Sequence, residues 1–597
     1  MKKILTIALL ALTSVSANAS KAISIARQLT LADGRTVTAT LVGDEHVNFF
    51  RSADGEIILR DADGTFHIAT QAEKDSLQNL SDLALAKAAS DFSRLTDATE
   101  GGGESLLPNL ICPHLGTVKI PVILINFSDA VFTMTKSEVD EALNSTEVRP
   151  VSPYSTYATN YNYGSVGEYF RFCSSGKFNP QFDVYGPYTV SSSCTAYGQT
   201  GYSLLSDAAN IADGDIDFSQ YDSNNDGNVD MVFVFYAGFG SHYTGDQHIW
   251  PKCGYQSFGT KDGKRLMRYL LCNEVFGNED IVSIYGGARY SMGATCHEFS
   301  HGIGLPDLYP TNSSSYMSSV GKLDNQSMED WDLMDNGENL RNGFAPTPYS
   351  AWERALMGWT DPIETISEAD ENYTIKPWKD GGKAYKIQNP DDSKEYWILE
   401  NVPKTNISAA DNTSGWYRAM PHSANGLVVT HVNFNQNKFN NSTLNNTIGS
   451  PGFTILPADG YLYTSYHASL DTSDPLYMSM TKVRAEEAGD PFPYVNGETK
   501  QDYLTEFKNY SGTMDTPVSK ITRNDDGSIT FRYKFLVGNA KYDGNIDQQD
   551  VNYIHNVIMK GDDDVPTDFY FKAADANSDS QITGADIVIT VANALEE

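Results

Sequence analysis

One stretch constrains the fold of this chain more than any other: "TCHEFSHGIGLPDLYP", residues 295–310. On a helix, the i, i+4 spacing of His297 and His301 puts both imidazoles on one face, where they can share one ion. Glu298 lies beside them, directed at the open coordination position. Gly304 then supplies a place for positive φ, so the helix stops, the chain turns back, and Asp307 comes within reach of the same ion. Whatever else the chain does, this segment predicts a helix that ends in a sharp reversal against a packed base.

The full spacing, H-E-x-x-H-x-x-G-x-x-D, is the metzincin arrangement with Asp where His is commoner. A carboxylate is an acceptable zinc ligand, so the departure changes the charge at the metal and keeps the site. Met334, in "WDLMDNG" 27 residues after Asp307, resembles the Met-turn that underlies the metal in this clan. In an alternative geometry the third ligand is a glutamate on a later helix, either Glu329 or Glu353; the Gly304 to Asp307 spacing argues for Asp307. Three protein ligands leave zinc a fourth position for a water whose pKa falls towards about 7. Glu298 is then the expected general base, and peptide hydrolysis the expected reaction.

The remaining sequence gives this site an address. Lys2 and Lys3 precede an apolar run from Ile4 to about Val15, and Ala17-Asn18-Ala19 forms a small-residue cleavage site, the three parts of a secretory signal over residues 1–19. Ser20 rather than Cys follows, so nothing marks a lipoprotein. No other stretch is long and apolar enough to span a membrane. A secreted protein is expected, extracellular or at the cell surface, with a periplasmic location also open. The net charge of −34 would repel nucleic acid and anionic lipid, which sets nucleic-acid binding aside. In an oxidising space Cys112, Cys173, Cys194, Cys253, Cys272 and Cys296 allow up to three disulfides, with Cys173–Cys194 and Cys253–Cys272 as local pairs. Cys296 beside the first ligand, or Cys112, is alternatively a thiolate that occupies zinc in a zymogen.

A multidomain α+β organisation is predicted. Residues 20–108 alternate polar and apolar positions with Asp-Gly turns at 33–34, 54–55 and 63–64, and end at the joint Gly101-Gly102-Gly103. They read as a pro-segment or as an ordinary N-terminal domain. In residues 109–360, "VKIPVILINFSD", the helical "SVGEYFRFCSSGKF" and "VDMVFVFYAGFG" predict alternating strands and helices, the α/β catalytic domain. Residues 361–536 carry strands such as "EYWILENV", "NGLVVTHV" and "SITFRYKF", a β-sandwich-like domain.

These residues together resemble the immune-inhibitor-A-like secreted metallopeptidases (peptidase family M-six). Besides the zinc helix and "WDLMDNG", the resemblance is carried by "VILINFSD", "SVGEYFRFCSSGKF", "DVYGPYTV", "PYSAWERALMGW", "EYWILENV" and "GWYRAMPHSANGLVVTHV", and spans roughly residues 115–535. The N-terminal "GDEHVNFFRSADGEIIL" resembles the pro-region of such proteins. What the resemblance implies is a pro-segment, a metzincin-like catalytic domain and a following β domain. It also maps His297, His301 and Asp307 onto zinc ligands and Glu298 onto the base.

Three loops have calcium-type spacing. Asp222, Asn224, Asp226, Asn228 and Asp230 alternate around Gly227, though Phe233 stands where a twelfth-position acid would be. The plain reading is an Asp/Asn-rich turn. In residues 537–597, Asp575, Asn577, Asp579, Gln581 (through its carbonyl), Thr583 and Asp586 fit a complete loop. Asn539, Asp543, Asn545, Asp547 and Asp550 fit a degenerate one, with Lys541 at a ligand position. Each of these two loops leads into an apolar-periodic helix. Such duplicated units resemble a type I dockerin, which implies structural calcium and a cohesin-like partner; a calcium-stabilised tail without a partner is the alternative. The function expected is a secreted zinc endopeptidase acting on protein or peptide substrates. The competing class is a non-catalytic adhesin or scaffold-bound binding protein, which would have no need of Glu298.

Overall fold

A computed structural model of the chain describes residues 17–79, 112–148, 162–311, 328–366, 371–403, 425–462, 479–504 and 518–596, a few short gaps within these ranges excepted. The apolar run from Ile4 to Val15 and the Gly101–Gly103 joint lie outside the described residues.

The first five-stranded sheet is an antiparallel meander of β2 (Arg27–Thr30), β3 (Thr36–Gly43), β4 (Asn48–Ser52), β5 (Ile57–Arg60) and β6 (Phe66–Ile68). Its tight turns fall at the expected Asp-Gly pairs, where Gly34, Gly55 and Gly64 take φ of 86°, 78° and 88°. The inner face of this meander packs on Trp250, which belongs to the next unit.

That unit is a six-stranded sheet in the order β1-β10-β11-β9-β7-β8, where β1 is Ala17–Asn18, β7 Gly116–Asn126, β8 Phe178–Thr189, β9 Val232–Phe239, β10 Lys252–Lys261 and β11 Lys264–Val275. Strands β11, β9, β7 and β8 run parallel, and β10 with β1 closes one edge in antiparallel fashion. The unbroken apolar run in β7 follows from burial on both faces. Val118, Ile120, Val122 and Leu124 enter one core, while Ile123 and Ile125 enter the other. Helices α1 (Lys136–Asn144) and α2 (Val166–Cys173) cover the first face and α3 (Tyr202–Ala212) the second. The first face also receives α4 (Gly293–Gly302), which carries the predicted ligands.

Beyond α5 (Ala351–Leu356) come two further sheets. One has the order β12-β14-β15-β16-β17, with β12 at Glu364–Thr365, β14 at Tyr385–Gln388, β15 at Glu395–Val402, β16 at Gly426–Asn433 and β17 at Phe453–Ile455. The other joins β13 (Glu371–Ile375), β21 (Ile529–Tyr533) and β20 (Val518–Arg523), and a separate hairpin pairs β18 (Tyr494–Asn496) with β19 (Thr499–Gln501). Ile387, Trp397 and Leu399 of the larger sheet share a core with Ile375, Ile529 and Phe531 of the smaller, as in a sandwich. The opposite face of the larger sheet is buried too: Ile398, Val402, Val428 and Val432 belong to the same core as α4. The sequence boundary near residue 360 is therefore crossed by continuous packing.

At the C-terminus α6 (Gln548–Lys560) and α7 (Gly584–Glu596) follow the two Asp/Asn-rich loops, around a small core of Ala540, Ile554 and Ala574. One expectation fails. All six cysteines are free and buried, and neither Cys173–Cys194 nor Cys253–Cys272 is bonded. Cys173 and Cys194 lie in different cores, on opposite faces of the sheet, and hydrophobic burial satisfies each of them without a bridge. Burial lifts every one of these thiols, Cys173 and Cys194 to about 12, so none is disposed to ionise.

Candidate metal centre

Helix α4 has no side-chain cap at its N-terminus, and packing holds it: every residue from Thr295 to Gly302 is buried. Its glycines set how closely it sits. A Cβ on Gly293 would lie 2.0 Å from the carbonyl oxygen of Glu338, and one on Gly302 2.4 Å from Met231 Cε. After the helix, Gly304 takes φ 111°, the reversal expected from the sequence, and the chain returns to present Asp307.

The three predicted ligands meet. His301 Nε2 is 3.1 Å from His297 Nε2, and Asp307 Oδ1 is 3.2 Å from the His301 nitrogen and 3.3 Å from that of His297. Tetrahedral bonds of about 2.0–2.1 Å give ligand–ligand edges of roughly 3.3–3.4 Å, so this triangle is the right size for a small divalent ion. The other ring nitrogens are committed: His297 Nδ1 donates to the Leu333 carbonyl at 2.9 Å and His301 Nδ1 to the Leu305 carbonyl at 2.8 Å. With both rings neutral, the Nε2 lone pairs face each other and a carboxylate oxygen that has no hydrogen-bond partner among the described residues. A cation between them resolves that arrangement. Among the described residues, this is the one group of His, Cys, Asp and Glu whose ligand atoms converge, all within 4.8 Å, and it can hold a metal ion. Glu329 and Glu353 do not join it; Glu353 is engaged in the Ser350 capping box of α5.

The Met334 turn lies directly beneath. Leu333 supplies the carbonyl that orients His297, and the Met334 carbonyl accepts from Leu308 N at 2.8 Å, which ties the turn to the ligand loop. Met334 itself is fully buried.

Electrostatically the pocket favours positive charge. Burial would lower the pKa of His297, but Glu338, Asp307 and Glu298 outweigh it and raise it to about 10. Burial would raise Asp307, yet His301 and His297 hold it at about 2. Glu298 is pushed up by burial in spite of the two histidines, the direction that suits a group taking up a proton.

Several neighbours of this site carried no local signal in the sequence. Glu298 Oε1 accepts from both the amide nitrogen and, at 2.7 Å, the hydroxyl of Ser20, and Trp250 Nε1 donates to the Ser20 carbonyl at 2.9 Å. Tyr309 stacks on His297 with centroids 6.5 Å apart. His242 is buried near His297 with neither ring nitrogen hydrogen-bonded among the described residues, and burial depresses it to about 3, so it is neutral. The ligand loop is braced from the later β-sheet unit: Asn445 Nδ2 donates to the Leu308 carbonyl at 2.6 Å, and Asn446 Oδ1 accepts from Thr311 N at 2.7 Å. Only the nearness of Tyr309 to Asp307, and of Glu338 to Met334, could have drawn attention to them in the sequence.

The calcium-type loops are built otherwise. Gly227 has the expected positive φ of 83°, but Asp222 pairs with Lys264 at 2.6 Å and Asp226 with Arg268 at 2.7 Å, so the protein supplies two cations there itself. Asn228 Oδ1 and Asp230 Oδ1 remain buried without hydrogen-bond partners among the described residues. In the loop 575–586, Asp575 accepts from the amides of Asp579 and Ser580, and Asp586 from those of Asn577 and Thr583. Ser580 at its sixth position takes φ 65°, where Gly is usual. In the loop 539–550, the Lys541 ammonium lies 3.4 Å from Asp543, in place of a ligand.

No helix among the described residues is long and apolar enough to cross a membrane. The chain matches no known family model and no curated protein.

Proposed function

We propose that this chain is a secreted zinc endopeptidase of the immune-inhibitor-A-like kind. The observation that carries the reading is the convergence of His297 Nε2, His301 Nε2 and Asp307 Oδ1 with the buried carboxylate of Glu298 beside them. Two imidazoles and one carboxylate at tetrahedral spacing suit zinc better than harder cations that prefer all-oxygen shells. When bound, zinc supplies a Lewis acid and lowers the pKa of water. The protein's own groups do the remainder. The carbonyls of Leu333 and Leu305 fix the tautomer of each histidine, Met334 supports the ligand loop from below, and Glu298 takes the proton of the attacking water and returns it to the leaving nitrogen.

The N-terminal sheet acts in this reading as a pro-segment, since Arg27 and Trp250 fasten it to the catalytic unit and Ser20 lies on the base. The C-terminal pair of loop-helix units serves as a calcium-stabilised, dockerin-like module. Val588, Val591 and Leu595 on α7 and Met559 on α6 are exposed, which favours docking to a cohesin-like partner over a tail with none.

The full chain, before and after limited proteolysis at the expected joint, should cleave casein or gelatin. It should lose that activity to a chelator, recover it with zinc, and be inactive as Glu298→Ala while still holding the metal. Zinc-loaded protein that cleaves neither substrate in either form would refute the reading and favour a binding protein.

A further inference from the structure

The residues that lie across the metal centre belong to the chain's own N-terminal strap, and they lie there as an extended peptide. Ala17 and Asn18, which the expected cleavage after Ala19 removes from the secreted protein, add a strand to the edge of β10, opposite Gly254 and Cys253, and leave that edge free once they are gone. Ser20 then reaches Glu298 and Trp250, and Ile23 N donates to the His242 carbonyl at 3.1 Å. Strand addition of this kind is a general way for a protein to hold a peptide by its backbone, leaving pockets to read the side chains.

The side chain of Lys21 enters such a pocket. Its ammonium lies 3.8 Å from Asp335 Oδ1 and 5.6 Å from the centroid of Tyr309, and Glu329 and Glu338 add their charge to it. The pocket is built rather than incidental. Asp335 is fully buried, and its Oδ2 is anchored by the amides of Met328 and Glu329 at 2.9 Å each, which turns Oδ1 to the lysine. Glu338 is also buried, and its Oε2 has no hydrogen-bond partner among the described residues. A buried carboxylate anchored by two amides, beside an aromatic face, is a set of partners that an ammonium or a guanidinium fills.

We infer that Glu329, Asp335, Glu338 and Tyr309 form a specificity pocket for a lysine or arginine side chain of the substrate, and that Lys21 is its internal stand-in. The register follows from the zinc-peptidase reading, on which this inference rests. Glu298 hands its proton to the leaving nitrogen, and the nitrogen of Ser20 occupies that place, so the pocket takes the second residue of the leaving fragment. The acyl side of the substrate lies along β10. An arginine fork could engage Asp335 and Glu338 together, a lysine only as a point charge.

The test uses the full chain carrying Lys21→Ala or, with the stem kept, Lys21→Met. It is offered matched peptides that differ only at that second position, as lysine, arginine, norleucine or glutamine. The basic peptides should be cleaved with kcat/KM about tenfold or more above the neutral ones. With Glu298→Gln added, the lysine peptide should bind about tenfold tighter than the norleucine peptide by fluorescence anisotropy. Adding Asp335→Asn and Glu338→Gln should bring both ratios towards one. Cleavage or binding without preference for a basic residue overturns the pocket and leaves the peptidase standing. A binding preference with no cleavage by any Glu298-containing form supports the pocket and overturns the peptidase.

Discussion

At the metal centre the nitrogens of His297 and His301 are turned inward by carbonyls from two different loops, and Asp307 Oδ1 meets them with no other partner. In the loop 575–586 each carboxylate is instead spent on amides of its own loop, and in the loop 222–230 two of them are spent on Lys264 and Arg268. Both kinds of place show ligand spacing in the sequence. The difference lies in what the ligand atoms can do without an ion. At the first site the backbone has already oriented the ligand atoms, so a metal has to displace only the proton that His297 holds and little reorganisation is needed; at the second a cation must compete with hydrogen bonds the loop makes for itself.

Removing one ligand from each site should separate the two most widely. Asp307→Ala should abolish zinc retention and lower peptidase activity by at least about a thousandfold, measured by metal analysis and casein cleavage, while Glu298→Gln loses a similar amount of activity and keeps the metal. Asp575→Ala should leave both zinc and activity in place. Zinc retained by Asp307→Ala would mean that the triangle is not the ligand set, and would return Glu329 and Glu353 to consideration.

A second comparison sets two glycines against each other. Gly293→Ala forces a methyl group into the Glu338 carbonyl and should cost about 3 kcal/mol or more, seen as a fall in melting temperature together with weaker zinc binding. Gly227→Ala meets nothing within 4 Å and should cost only the strain of its positive φ, about 1 kcal/mol. Equal effects would show that the seat of α4 is no more demanding than a surface turn.

These glycines also mark how far the sequence could be read. The i, i+4 pair, the reversal at Gly304 and the alternation within β7 are local, and spacing alone exposes them. The apolar runs of β7 and β9 and the Asp-Gly hairpins were legible for the same reason. The strap from Ser20 to Ile23, the Lys21 pocket, His242 and the brace from Asn445 join residues more than a hundred positions apart, or depend on which face a side chain takes. No periodicity encodes such contacts. The cysteines misled in the same way: their number and the inferred compartment suggested bridges, while the two faces of the sheet separate Cys173 from Cys194.

The brace offers a smaller test. Asn445 is buried, donating to the Leu308 carbonyl and accepting from Phe453 N at 2.8 Å. Asn445→Ala leaves both backbone groups unpaired and loosens the loop behind Asp307. Zinc affinity should fall by about tenfold, as is usual when support behind a ligand is lost, with the Glu298-dependent chemistry intact at saturating zinc. Unchanged affinity by competition with a chromophoric chelator would show that the β-sheet unit only abuts the ligand loop.

The smallest effect belongs to the degenerate loop, where charge is unmet in the opposite sense to Asp307. Burial, then the negative neighbours Asp543 and Asp547, raise Asp550 to about 6, although it accepts from the amides of Lys541 and Asp547. Its unfolded value is about 3.9, so between roughly pH 4 and 6 the folded loop binds more protons than the unfolded chain, and its stability falls as pH rises through that window. Allowing for solvent screening, the loss should be about 1–2 kcal/mol, confined to α6 and its loop. Calcium would offset the same charge. Hydrogen exchange in α6 of the full chain should therefore quicken from pH 4.5 to pH 7 after correction for intrinsic rates, and calcium should restore protection at pH 7 while doing little at pH 4.5. In Asp550→Asn the pH step should disappear. A pH step that survives in that variant would place the titrating group elsewhere, and protection by calcium equal at both pH values would mean that the loop binds the ion without relieving Asp550.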